Sequence, residues 1–291
     1  MVVDKPAGWT SHDVVARCRR IYGQRRVGHS GTLDPGATGV LLVGLGRATR
    51  LLRFLTELPK TYTGQIVLGT ATSTLDDEGD VVESWDMSGV GIDAVQDAAR
   101  SLTGPIMQVP PMVSAVRVGG RRLHELAREG IEVARDPRPV TVHRFDVEAT
   151  EEPTVLEISV TCSSGTFVRV LAADLGAALG GGAHLRRLRR TLIGSFGAEA
   201  AHELDALEAS PGPAVLTPAD ALADYGRVDV NAEMAAQVIH GRPFGPDALP
   251  VEGDGPWAVC GPDGQLLAVY EDRPGSALRY PAVVMAVDDP A

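Results

Sequence analysis

The 291 residues carry 27 basic and 38 acidic side chains, a balance of −11, with 44% apolar and 22% charged residues. This is a globular composition that excludes whole-chain disorder, and no apolar run approaches the ~18 residues of a membrane span. Cys18, Cys162 and Cys260 are too few and too far apart for a disulfide framework or a zinc site, and no basic-then-apolar leader opens the chain, so the expected setting is the reducing cytoplasm.

MVVDKPAGWTS reads as a short strand and a Pro/Gly turn, with Ser11 the expected N-cap of a helix over 11–22. Val14, Val15, Cys18, Ile21 and Tyr22 share one face of that helix, Arg17 and Arg20 lie opposite, and Gly23 ends it. RRVGHSGTLDPGATG is punctuated by glycine into loop or tight turns, TGVLLVGLG reads as a buried strand and ATRLLRFLTELP as an amphipathic helix. TYTGQIVLG alternates as a strand, and VGIDAVQDAARSLTG is a helix closed by Gly104. QVPPMVSAVRVGGRRLHELAREG predicts a strand, a Gly-Gly turn and a helix. The strands VTVHRFDVEAT and TVLEISVTC precede a helix opening at Thr166, and HLRRLRRTLIGSF is a basic stretch that ends in strand-like residues. A boundary is expected within 210–226, followed by a helix over 231–240 and hairpin strands around Gly261-Pro262-Asp263-Gly264. Without regular βαβ alternation, the pattern predicts an α+β domain with a mixed, largely antiparallel sheet and a small β-rich domain behind it.

The charge is uneven. Residues 200–291 hold 4 Arg against 15 Asp and Glu, whereas residues 1–56 hold 9 basic groups against 3 acidic ones. Of the 27 basic residues only Lys5 and Lys60 are lysines; arginine suits phosphate forks and base stacking, and coding bias explains the same preference.

Three segments offer chemistry. In VGHSGTLDPGATG, Asp34 before Pro35 fits an N-cap with proline at the first helical position; it equally fits a carboxylate held on a rigid turn, able to act as a nucleophile. His29 beside it reads more simply as a structural histidine. In TCSSGTFVRVLAADLG, Phe167, Leu171 and Leu175 form the buried stripe, and Arg169 falls in the first turn, where a cation opposes the helix dipole. It is either a solvated arginine, paired with Asp174 at most, or a functional one. TSTLDDEGD does not fit a calcium loop and reads as an acidic turn; Tyr62 in KTYTG reads as a half-buried strand aromatic. No Walker lysine or GxGxxG is present.

DKPAGWTSHDVV (4–15), GHSGTLDPGATGVL (28–41), KTY (60–62), PPMVSAVRVGGRRLHELAREG (110–130), CSSGTFVRVLAADLG (162–176) and HLRRLRRTLIGSF (184–196) resemble, in this order, the motifs of the bacterial tRNA pseudouridine-55 synthases, the TruB family. The resemblance implies a pseudouridine-synthase-like catalytic domain over 1–222 and a small, acidic, PUA-like domain over 223–291. It implies isomerisation of the T-loop uridine of tRNA by a monomer, without guide RNA, metal or cofactor. Asp34 then stands at the catalytic aspartate, Tyr62 at the tyrosine that packs on the target uracil, and Arg169 at the arginine paired with the carboxylate. His29 matches a histidine that holds the remodelled T loop, Leu188 a leucine of the base pocket, and Lys5 and Pro6 the opening motif that supports the active-site loop. Among substrate contacts, Lys5 is joined by the expected phosphate contacts Arg17, Arg20, Arg186, Arg187 and Arg190. The family's TDTxDxxG appears as TSTLDDEG, with Ser73 in place of an acid and Asp76 retained, Val113 replaces a common aromatic, and the start at Met1 shortens the first strand. A reading of another class, a tRNA-folding chaperone independent of catalysis, needs only the basic helix and HLRRLRR.

Overall fold

The computed structural model describes residues 1–249, 251 and 253–285; Glu252, Asp288 and Asp289, counted in the acidic C-terminal balance, lie outside the described residues. In chain order come β1 (Val2–Lys5), α1 (Ser11–Ile21), β2 (Val27–His29), β3 (Thr38–Leu45), α2 (Leu52–Glu57) and β4 (Lys60–Leu68). The hairpin β5 (Thr70–Thr72) and β6 (Val81–Ser84), α3 (Ile92–Ser101) and β7 (Gly104–Gln108) follow. Next are β8 (Arg117–Val118), β9 (Arg121–Arg122), α4 (Leu123–Arg128), β10 (Arg138–Ala149), β11 (Val155–Cys162), α5 (Val168–Ala178), β12 (Ala183–Ile193), β13 (Phe196–Gly197) and α6 (Leu204–Ala209). The chain closes with β14 (Gly226–Asp229), α7 (Ala232–Val238), β15 (Trp257–Cys260), β16 (Leu266–Asp272) and β17 (Arg279–Val284).

One sheet runs β1-β3-β12-β4-β11-β10-β7, with β2 and β13 at its margins, and β14-β15-β16-β17 form a second. In the large sheet β3 and β12 pair in parallel and the other pairs are antiparallel, the mixed, largely antiparallel α+β arrangement that the pattern predicts. Alternation along β3 serves two cores. Leu41 and Val43 pack with α1 and α6, whereas Val40 and Leu42 pack with α2 and with Ala258, Cys260, Leu266, Val269 and Val283 of the second sheet. A third core lies between the other half of the large sheet and helices α3 and α5. All three cysteines are free and buried.

Several local expectations change. Thr10, not Ser11, caps α1: its hydroxyl accepts the Asp13 amide while Asp13 returns a bond to the Thr10 amide, a capping box. Phe167, not Thr166, stands at the N-cap of α5, and its peptide is satisfied by the buried Gln108 side chain, which accepts its N–H at 3.0 Å and donates to its carbonyl at 3.3 Å. Gly104 opens β7 at φ 101° rather than closing α3. HLRRLRR, read as a basic stretch with strand-like residues only at its end, lies wholly within β12, near the centre of the sheet.

Candidate active site

Asp34 does not begin a helix. The chain turns at Asp34–Ala37, with the Ala37 amide on the Asp34 carbonyl at 3.1 Å, and enters β3. Side chains distant in sequence hold this turn. The Ser11 hydroxyl accepts the Leu33 amide at 2.9 Å, the Gly8 amide reaches the Pro35 carbonyl at 2.9 Å, and Lys5 Nζ donates to the carbonyls of Pro6, Trp9 and Pro35. Lys5 is 0% exposed and clamps the loop through these three bonds; burial draws its pKa down to about 8.

Arg169 projects from the first turn of α5 to meet Asp34, Nε to Oδ2 at 3.1 Å. Its guanidinium also reaches Asp76 Oδ2 at 3.3 Å and donates to the carbonyls of Thr74 at 2.9 Å and Val113 at 2.8 Å. The side chain is 5% exposed, which overturns the solvated reading and the pairing with Asp174: two carboxylates and two carbonyls accept from one planar fork. Asp76, read as part of a solvated acidic turn, is the site residue that local reasoning passes over. Its loop is tied to β12 by the Leu185 amide on the Leu75 carbonyl and the Asp77 amide on the Leu185 carbonyl. The Asp34 side chain remains 44% exposed at the mouth of the recess. Burial pushes its carboxyl above the usual range and Asp76 adds to the rise, while Arg169 and Lys5 oppose it.

Tyr62 lies on β4 directly across from Arg190 of β12, buried, its phenol pushed up by desolvation and drawn back in part by the neighbouring Arg190 charge. Leu188 comes to the same place by a bulge. The pairing of β12 with β4 slips between Arg186 and Arg189, Arg187 adopts φ 55°, and Gly64 opposite leaves room, since a Cβ there would stand 3.1 Å from the Arg187 carbonyl oxygen. Asp34, Tyr62, Arg169 and Leu188 thereby line one cavity of about 350 Å3, floored by Lys60 and Arg190 and walled by Ser114–Val116 and 163–168. A second recess of about 300 Å3 opens from Asp34 towards Asp76, Glu78 and Arg187. A larger cavity, about 730 Å3, lies away from this chemistry, between the β3–α2 region and the second sheet.

The remaining expected residues divide. His29 is half-buried behind the turn, accepts the Gly31 amide through Nδ1, and packs edge-on against His12; burial lowers its pKa to about 4, so it is neutral at physiological pH. Arg20 and Arg187 are exposed, Arg17 pairs with Glu208, and Arg186 bonds Gln65 and faces Glu152 at 3.6 Å. Arg190, expected on a phosphate, is 1% exposed and bonded to the carbonyls of Val40 and Gly31, which places it in the lining of the cavity and not on the outer surface. No group of three or more His, Cys, Asp or Glu able to hold a metal occurs among the described residues, and no described helix is long and apolar enough to cross a membrane.

Family models match almost end to end: TruB family pseudouridylate synthase (N-terminal domain) over 19–168, tRNA pseudouridylate synthase B C-terminal domain over 169–221, and tRNA pseudouridine synthase II, C-terminal, over 225–284. The chain is 49% identical to tRNA pseudouridine synthase B of Mycolicibacterium paratuberculosis over 94% of its length and 93% of the relative's. It is 48% identical to that of Mycobacterium avium over 98% and 95%. Among solved structures it superposes on a chain of a Cbf5-Nop10-Gar1 complex with a TM-score of 0.76 at 27% identity, covering 98% of this chain and 84% of that one. Matched by the N-terminal model over just over half of its residues and nearly half identical to relatives along almost all of them, the chain belongs to the TruB family of pseudouridylate synthases.

Proposed function

We propose that the chain converts the T-loop uridine of tRNA, position 55, to pseudouridine, acting in the cytoplasm as a monomer on naked tRNA without guide RNA, metal or cofactor. The observation that carries this reading is the meeting of Asp34, Arg169 and Tyr62 in one cavity deep enough for a base. A uridine inside a folded loop is inaccessible, so it must be extruded at a cost of about a few kcal/mol. Stacking on Tyr62 returns roughly 1–3 kcal/mol of that. Asp34 is the nucleophile, at C6 of the base or C1′ of the ribose, or assists glycal formation. The N1–C1′ bond breaks, the uracil rotates, C5 bonds to C1′, the C5 proton leaves and N1 gains one. Arg169 aims the carboxylate and opposes its protonation, Leu188 borders the base, and His29 supports the displaced loop.

We divide the chain at 222/223 into a catalytic domain and a PUA-like domain. The latter's 4 arginines against 11 acids suit it poorly to gripping RNA, so the contact is assigned to the first domain. Arg20 and Arg187 are the phosphate contacts that their exposure supports, with Arg17 and Arg186 available by exchange from their carboxylates.

The test is an unmodified tRNA transcript incubated with the protein alone and mapped by mass spectrometry. Pseudouridine at position 55, and none when that uridine is replaced by cytidine, is expected. Product at another site, or only with an added guide RNA, would overturn the reading. The folding-chaperone reading is separated by tRNA refolding assays with an inactive Asp34 variant.

A further inference from the structure

Four charged side chains are fully buried among the described residues, Lys5, Lys60, Arg169 and Arg190, and all four are cations gathered around the Asp34 turn and the cavity floor. Arg169 has its carboxylates and Lys5 its loop. Lys60 donates to the carbonyls of Thr56 and Leu58. Arg190 has no carboxylate within ion-pair distance among the described residues, only neutral acceptors, Val40 O at 2.7 Å and Gly31 O at 3.2 Å, with the Tyr62 phenol as its cross-strand neighbour. Holding a guanidinium this deep without a counter-charge costs several kcal/mol, and replacement by an apolar side chain would avoid the cost. A purely structural tie between β3 and β12 does not need a charge.

The geometry also fixes what Arg190 does to its neighbour. Arg190 and Tyr62 are cross-strand partners, so their side chains share a face. A guanidinium has only donors, so towards it the phenol can present only its oxygen lone pairs. The phenol's own proton must then point elsewhere, and the open side is the cavity. We infer that Arg190 is a positioning residue for Tyr62: it pins the ring beside the Asp34 turn and turns the phenolic O–H towards the extruded base. The same guanidinium donates to the turn itself at the Gly31 carbonyl, so one buried cation sets the spacing between the stacking ring and the carboxylate. This rests on the reading that the cavity takes a uridine, and its main readout does not.

The test uses the full chain with 13Cζ-labelled tyrosine, which gives five resonances, Tyr62 being assigned with Tyr62→Phe. The groups facing Tyr62 are Arg190, Cys162 on β11 and Asp34 on the turn. Arg190→Met should shift the Tyr62 resonance and move its titration to higher pH, because a neighbouring positive charge is lost, while the other tyrosines stay in place. On tRNA, kcat should fall about a hundredfold, the scale of a misplaced reacting group, with KM unchanged. Arg190→Lys, which keeps a charge but not the fork, should recover part of both and should have no further effect in the Tyr62→Phe background. If Arg190→Met does not fold, Arg190→Lys in the two backgrounds decides. A Tyr62 resonance that ignores Arg190, or losses that simply add, would overturn the proposal. Failure of the wild type to modify tRNA would overturn the functional reading and leave the resonance test standing.

Discussion

Arg169 shows how much of the site depends on a single side chain. It lies between two carboxylates and accepts no substitute easily: a lysine cannot span Asp34, Asp76 and two carbonyls from one plane. Arg169→Ala is expected to lower kcat/KM by about 100-fold. The pH profile carries the sign. On the proposed reading Asp34 works as the carboxylate, so activity is expected to fall as pH drops through its pKa; Arg169 holds that pKa down, and its removal is expected to move the acidic limb to higher pH. An acidic limb that stays put would contradict the pairing. Locally the sequence misleads at these positions because each rule sees only neighbours in the chain. Asp34-Pro35 satisfies a helix-start rule but feeds a strand, and Arg169 violates the helix-dipole rule because its partners are 56 to 135 positions away. Arg190 reads as a phosphate contact and Lys5 as a support of the loop only through the resemblance, since the carbonyls that hold them, Pro35, Gly31 and Val40, are brought in only by folding. What did make Asp34, Tyr62 and Arg169 legible was the order of the motifs.

At the scale of elements, strands and helices follow their periodicities closely, and the exception is instructive. β12 carries arginines through the middle of the large sheet, so its composition hides its burial; its bulge at Arg187 depends on Gly64 in another strand, which no local pattern reports. The parallel contact of β12 with β3 depends on a second glycine. Gly39 sits at φ 103°, and a Cβ there would stand 2.1 Å from the Arg190 carbonyl oxygen. Gly39→Ala should destabilise the protein by at least about 1–3 kcal/mol from backbone strain alone, read by urea unfolding. Stability unchanged within error would mean that the two strands do not need this approach. Thr10→Ala, which removes the capping box of α1, should cost about 1 kcal/mol in the same experiment. A cost as large at Ser11→Ala would arise from the Leu33 loop contact instead, and would appear in activity as well.

Across the whole molecule, the net charge of −11 is a poor guide to the proposed partner, because the excess belongs to residues 200–291. Affinity for tRNA should fall with salt at a slope of about −0.7 to −0.9 per phosphate contact, and Arg20→Ala and Arg187→Ala should each reduce that slope. A flat dependence would exclude the assigned contacts. The second sheet has a different task in the packing: Ala258, Cys260, Leu266, Val269 and Val283 share a core with Leu42, Leu51, Phe54 and Leu55. Removing residues 223–291 should therefore lower Tm and expose that face to aggregation, and a truncated chain as stable as the whole would contradict the shared core. The central claim is that Asp34 performs chemistry on a uridine that the rest of the cavity merely holds. Wild type and Asp34→Asn, assayed side by side for pseudouridine in tRNA and for tRNA binding, test it most directly. The account predicts no product from the variant with binding retained; substantial product from Asp34→Asn would contradict it.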